Sequence, residues 1–133
     1  MNTIKGVLIT PNKEGTKPRE HTLELNSYKD FYPLLECDTF EIVTRCFNGH
    51  WLDIYCDDEG LFKHNEVSII TINSKGKIVE QIVGNAFIVS HDNNGETISL
   101  TDEEIKAVLD TVQVKVVLRS DGVKAIPVCT ADI

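Results

Sequence analysis

Residues 40–56 read Phe40-Glu41-Ile42-Val43-Thr44-Arg45-Cys46-Phe47-Asn48-Gly49-His50-Trp51-Leu52-Asp53-Ile54-Tyr55-Cys56. Two β-prone runs flank Asn48-Gly49, a dipeptide that tolerates the positive φ angles of a type I′ turn, whose twist matches that of the strands it joins. A two-residue loop sets Phe47 opposite His50, and the pairing then runs outward one residue at a time. Strand alternation puts Ile42, Thr44, Cys46, Trp51, Asp53 and Tyr55 on one side, and Val43, Arg45, Phe47, His50, Leu52 and Ile54 on the other. Both sides carry apolar side chains, so the hairpin is expected mid-sheet or against a partner.

The chain before this hairpin offers a strand over Ile4 to Thr10, stopped by Pro11, and a loop from Pro11 to Pro18. His21 to Leu25 alternates like a half-buried strand, with Leu23 and Leu25 on one face. Asn26-Ser27 supplies a helix cap, with Asp30 as the third-position acid of a weaker capping box. Phe31, Leu34 and Leu35 are expected on the buried face, and Pro33 falls near the first turn, where a missing amide costs least.

After the hairpin, Asp57-Asp58-Glu59-Gly60 reads as an acidic turn, Val67 to Ile72 as a strand and Asn73 to Gly76 as a turn. Ile78 to Val83 and Asn85 to Ser90 are strand-like, with a polar loop from His91 to Gly95 and a short return strand over Glu96 to Ser99. Thr101-Asp102-Glu103-Glu104 is a full capping box that places acids at the positive end of a helix. Ile105, Val108, Leu109 and Val112 continue it at helical spacing. Val114 to Leu118 and Val123 to Val128, around Ser120-Asp121-Gly122, read as a closing hairpin, and Pro127 assigns its last strand to an edge. With no linker, repeat or composition break, the expectation is one α+β domain over residues 1–133, with a mostly antiparallel sheet and two short helices.

The chain has 133 residues, 21 acidic and 13 basic side chains and a net charge of −8. That length buries a core without metals or staples. The charge argues against free nucleic acid as a partner, because such binding needs a basic surface to displace phosphate counterions. Cys37, Cys46, Cys56 and Cys129 form neither a C-x-x-C pair nor a zinc-ribbon spacing. The apolar stretch within residues 1–10 is too short for a signal sequence or a membrane span. A cytoplasmic protein with four thiols is the expectation.

From Ile78 the chain reads Ile-Val-Glu-Gln-Ile-Val-Gly-Asn-Ala-Phe-Ile-Val, then a polar turn, then Ile98-Ser-Leu-Thr-Asp-Glu-Glu-Ile105. This stretch resembles the closing part of a small-protein family catalogued as domain of unknown function 3846. The upstream order of strand, short helix, central hairpin, acidic Gly turn and Asn65 ahead of an apolar strand is similar as well. The resemblance covers roughly residues 1–112 as a family-like core and leaves 113–133 as an added C-terminal hairpin. It implies a setting among accessory genes of phages, plasmids and conjugative elements, and it assigns no catalytic residues.

Each candidate site has a plainer alternative. His91-Asp92 spells the dipeptide of metal-dependent phosphohydrolases, but beside Asn-Asn-Gly it reads as a loop. Asp57-Asp58-Glu59-Gly60 has calcium-like oxygens without the alternating acids of a calcium loop. His50, Asp53 and His64 could hold a transition metal only if the fold brings them together. Cys46 lies opposite Trp51 while His50 points to the other side of the strand, so no base reaches that thiol. The last candidate is the aromatic cluster of Trp51, Tyr55, Phe47, Arg45 and His50. Trp51 has two readings, a core tryptophan under a helix or an exposed anchor of a partner-binding hairpin.

The functional expectation is a non-enzymatic accessory protein without cofactor that binds a macromolecular partner, a protein rather than free nucleic acid or membrane. The partner surface is expected at Trp51, Tyr55, Arg45 and His50, or on the acids Asp57, Asp58 and Glu59 and Asp102 to Glu104. Two alternatives stand beside it. One is an antidefence protein that mimics DNA or sequesters a nucleotide in a basic pocket of Arg45, Lys63 or Arg119. The other is a small metal-dependent hydrolase.

Overall fold

The computed structural model describes residues 2–11, 17–59, 67–72, 75, 77–119 and 122–130. Strands β1 (Asn2–Ile9) and β2 (Arg19–Leu25) precede helix α1 (Phe31–Leu35), and the hairpin β3 (Phe40–Phe47) and β4 (His50–Asp57) follows. Then come β5 (Val67–Ile72), β6 (Ile78–Val83), β7 (Ala86–His91), β8 (Thr97–Ile98), α2 (Asp102–Thr111), β9 (Val112–Arg119) and β10 (Gly122–Thr130). The expected α+β class is the observed one, and its strands divide into two sheets. The first is antiparallel in the order β2-β1-β7-β4-β3, with β8 beside β7. The second runs β6-β5-β10-β9 and is mixed, because β10 lies parallel to β5 from Val128↔Ile70 to Thr130↔Ile72.

The β3–β4 register, from Phe40↔Asp57 to Phe47↔His50, is the one the Asn48-Gly49 turn dictates. Asn48 has φ 51° and Gly49 φ 88°, both positive as a type I′ turn requires. The second sheet and α2 cover part of one face of β4 and α1 part of the other, which explains its two-sided apolar pattern. The inner face brings Leu52, Ile54 and Cys56, with Val7, Ile9 and Ile88, against Ile69, Ile82 and Cys129 of the second sheet and Ile105 and Val108 of α2. The outer face brings Tyr55, Phe87, Val89, Ile4 and Leu8 against Phe31 and Leu35 of α1. Each such fully buried side chain contributes about 1.5–3 kcal/mol.

Both helix starts follow their local chemistry. Ser27 and Asp30 close a capping box on a 3₁₀ turn over Tyr28–Asp30 that leads into α1, and Glu36 ends that helix at φ 53°. Thr101 and Glu104 close the second box, on α2. Leu34 is only partly buried and Leu109 is exposed, against expectation. On α2 the buried positions are Ile105, Ala107 and Val108, and the chain passes directly into β9 at Val112.

The expectation that Pro127 marks an edge strand is corrected: β10 lies inside the second sheet. Pro127 pairs with Val114 of β9, and the ladder to β5 begins one residue later, at Val128. The missing amide therefore falls just outside that ladder, which is how an interior strand accommodates a proline.

Gly6 carries a tight packing constraint. Lys5 donates its amide to Ser99 Oγ at 2.9 Å and accepts from Leu100 N at 2.8 Å, so residues 99–100 run close beside β1 at this point. A Cβ on Gly6 would stand 2.3 Å from the Ile88 carbonyl oxygen and 2.8 Å from Val89 Cγ1. A backbone oxygen cannot swing away, so Gly6→Ala is expected to destabilise by about 1–3 kcal/mol through overpacking. Urea unfolding checks this; a midpoint equal to the parent's would show that β1 and β7 separate at no cost.

Candidate binding face around Trp51

Helix α1 is five residues long and covers only one end of the outer face of the first sheet. There Phe31 stacks on Tyr55 with ring centroids 4.4 Å apart, and Phe40 tilts against both rings at 5.4 Å. Beyond this lid the face is open in part, with Val89 still buried on it. Trp51 is 62% exposed and Ile42 50% exposed, with Thr44 and His91 exposed beside them. The reading of Trp51 as a core residue under a helix is thus overturned, because the helix is too short to reach it.

A polar group sits within this open area. Asp53 follows Trp51 by two positions on the same face of β4 and keeps a side chain only 10% exposed. Thr44, across the ladder, donates its hydroxyl to Asp53 Oδ1 at 2.8 Å. His91 Nδ1 lies 2.7 Å from Asp53 Oδ2. The Tyr55 hydroxyl shares a 2.6 Å hydrogen bond with Thr97 Oγ1. Burial raises the Tyr55 phenol above its ordinary pKa, with the Asp53 charge acting in the same direction and the Thr97 bond against it.

His91 therefore belongs to β7, and its acid is Asp53 rather than its sequence neighbour. Asp92 instead caps the following turn, accepting from Asn94 N and Glu96 N at 2.9 Å each. The sequence marked His91 and Asp53 for separate metal hypotheses and missed their pairing. The available signal was their placement on adjacent strands, which becomes visible only once β4 and β7 are known to pair.

The other expected partner residues do not share this surface. Tyr55 is buried under α1. Arg45 points to the inner side, where its Nε and Nη2 reach Glu80 of β6 at 2.8 and 2.6 Å and its Nη1 donates to the Thr44 carbonyl at 2.7 Å. It fastens the edge of the first sheet to the edge of the second. His50, also inward, stands 4.0 Å from Glu103 at the start of α2. Asp57 is only 5% exposed and accepts from Glu59 N at 2.9 Å, so of the expected acidic turn only Asp58 and Glu59 face solvent. Both are within hydrogen-bond reach of Thr39 Oγ1.

Among the described residues, no three His, Cys, Asp or Glu side chains converge as a metal-ligand set. His50 and Asp53 point to opposite sides of β4, and His64 and Lys63 lie outside the described residues, as does the side chain of Arg119. A cleft of about 70 Å³ is lined by Glu41, Asp57, Asp58 and Glu80 with Cys56 among them. Burial first, then these carboxylates, push the Cys56 thiol up to about 12. Burial likewise pushes Cys129 up to about 12, with Glu80 adding and Arg45 opposing.

At pH 8 a pKa near 12 leaves about one thiol in ten thousand ionised, and the thiolate is the reactive species. Cys56 and Cys129 are therefore expected to resist iodoacetamide in the folded protein and to react in urea. Peptide mapping of the alkylated sites reads this directly, and rapid native labelling of either residue would contradict it.

The family described as Domain of unknown function (DUF3846) matches residues 4–113. No curated protein and no solved structure matches.

Proposed function

The chain belongs to the DUF3846 family, and we propose that it works as a non-enzymatic binding module, an accessory protein of a phage, prophage or plasmid acting in the cytoplasm on a protein partner. The observation that carries this reading is Trp51, exposed at the open end of a rigid sheet whose other end is sealed by α1. Tryptophan is the residue type most enriched among interface hot spots, and a sheet scaffold presents it at low conformational cost. Asp58 and Glu59, exposed just beyond the end of β4, extend the partner candidates to basic proteins.

Several features favour binding over catalysis. Thr44 gives its proton to Asp53 and not to an imidazole, so the Asp53–His91 pair does not activate that hydroxyl as a nucleophile. The Cys56 and Cys129 thiols are held protonated at neutral pH. No described helix is long and apolar enough to cross a membrane.

The test is affinity purification from cells carrying the element, with the parent chain and Trp51→Ala side by side. Loss of a hot-spot tryptophan removes about 2–4 kcal/mol of binding, roughly 30- to 1,000-fold in affinity. The melting temperature should stay close to the parent's, since the side chain is not part of the core. A partner recovered equally with Trp51→Ala would remove this face from consideration.

A second reading has one observation in its favour. A groove of about 840 Å³ is lined by Lys17, Pro18, Arg19, Leu109, Val112 and Val114, which combine basic and apolar side chains. It suits a small anionic ligand with an apolar part, and its basic residues are Lys17 and Arg19 rather than the expected Arg45, Lys63 or Arg119. Thermal-shift screening against nucleotides checks it, because a bound ligand raises melting by mass action.

A further inference from the structure

We propose that the open face at Trp51 is built to take a basic side chain, an arginine presented by the partner polypeptide. The inference rests on the reading of this face as the partner surface and names the chemistry that the face recognises.

It starts from the charge at the centre of the face. Asp53 is nine-tenths buried between the exposed Thr44, Trp51 and His91 on one side and the buried Val89 and Tyr55 on the other. A carboxylate in that position is costly unless its oxygens are hydrogen-bonded. Both are, by the Thr44 hydroxyl and by His91 Nδ1. No Lys or Arg among the described residues forms an ion pair with it. The donors satisfy the oxygens, while no Lys or Arg charge among the described residues balances the carboxylate.

The neighbours complete a site for a cation. His91 turns Nδ1 to Asp53 at 2.7 Å, which leaves Nε2 as its second polar atom, and its side chain is 42% exposed. Trp51 stands two residues from Asp53 along β4, about 7 Å at the rise of a strand. Its exposed ring offers a π-face, on which a guanidinium packs flat while donating from its edge. Ile42, half exposed on the adjacent strand, gives apolar side chains flanking the arginine somewhere to rest. The net charge of −8 steers a basic segment towards this protein and repels an acidic one. An anionic ligand such as a phosphate would meet the Asp53 carboxylate.

The experiment is selection from a random peptide display library on the immobilised full chain, with Trp51→Ala as the counter-selection. Recovered peptides are then titrated by the emission of Trp51, the chain's one tryptophan. The expected peptides share an arginine between apolar residues. Replacing that arginine by citrulline, which keeps the shape and removes the charge, should weaken binding about tenfold or more. Asp53→Asn and His91→Gln should each weaken it in the same direction, in variants whose circular dichroism matches the parent's. If Asp53→Asn does not fold, the citrulline exchange on the unaltered protein decides the matter. Peptides that depend on Trp51 but bind equally with citrulline would overturn the cation site and leave the binding face standing. Recovery of no Trp51-dependent peptide would overturn both.

Discussion

A chain ended after Gln113 is expected to lose its cooperative unfolding transition and to bind hydrophobic dyes. The cut falls where the family match stops, yet it removes all of β10 and most of β9. Val128 and Cys129 are buried, and Cys129 packs in the inner core beside Ile69 and Ile82. Their loss removes about 1.5–3 kcal/mol for Val128 and less for the smaller Cys129. The larger effect falls on β5, whose residues Ser68 to Thr71 are all buried and whose second edge is covered by β10. Without it, β5 and β6 remain as a two-stranded hairpin, a unit that is marginal in water. Against a total stability of about 5–15 kcal/mol, these losses consume most of what holds the fold. Urea unfolding followed by circular dichroism reads the result. A truncated chain that still unfolds in one sharp step would make 113–133 a detachable addition to a family core. The expected outcome instead makes it part of the single domain.

The second large effect is expected at Phe87. The side chain is fully buried on the outer face, with Leu8 paired on one side and Tyr55 on the other. His21 meets it edge-on at 5.9 Å. Phe87→Ala should cost about 3–5 kcal/mol, the transfer loss of the ring plus the cavity it leaves under α1. The urea midpoint should fall with little change in slope, as both states keep their compactness. The same variant has a second readout. Burial, with Arg19 adding, holds the His21 imidazole below its ordinary pKa of 6.5. Water admitted by the missing ring should let that pKa rise, which an NMR titration of His21 follows. A loss below about 1 kcal/mol would mean that the aromatic cluster closes over the gap.

The two effects show which parts of the fold the sequence states locally. The β3–β4 register was readable because Asn48-Gly49 fixes it through backbone dihedrals that only those two residues need to adopt. Ser27 with Asp30 and Thr101 with Glu104 announced both helix starts for the same reason, since a capping box is complete within four residues. The division into two sheets was not readable, because β5 meets β10 across nearly 60 residues of chain through backbone groups that every residue possesses. Pro127 misled in consequence: its restriction applies to one ladder, and which ladder begins where is a tertiary fact. The same holds for the candidate site. Trp51 was identified from its type and position, but its exposure depended on how far α1 extends over the sheet. Asp53 and His91 were both noticed, yet in separate arguments, and only the β4–β7 pairing joins them.

The parallel pairing of β5 with β10 also bears on how the protein is made. A ribosome adds on the order of 5–20 residues each second, so β5 exists for several seconds before the strand that will cover it has been synthesised. Throughout that time the run Val67-Ser-Ile-Ile-Thr-Ile72 carries no charged side chain and presents an open edge, the kind of segment that recruits other chains. Yield in the cell is then governed by a race between elongation and capture of that edge. Slower translation between residues 72 and 128 should lower the soluble fraction even though the finished protein is unchanged.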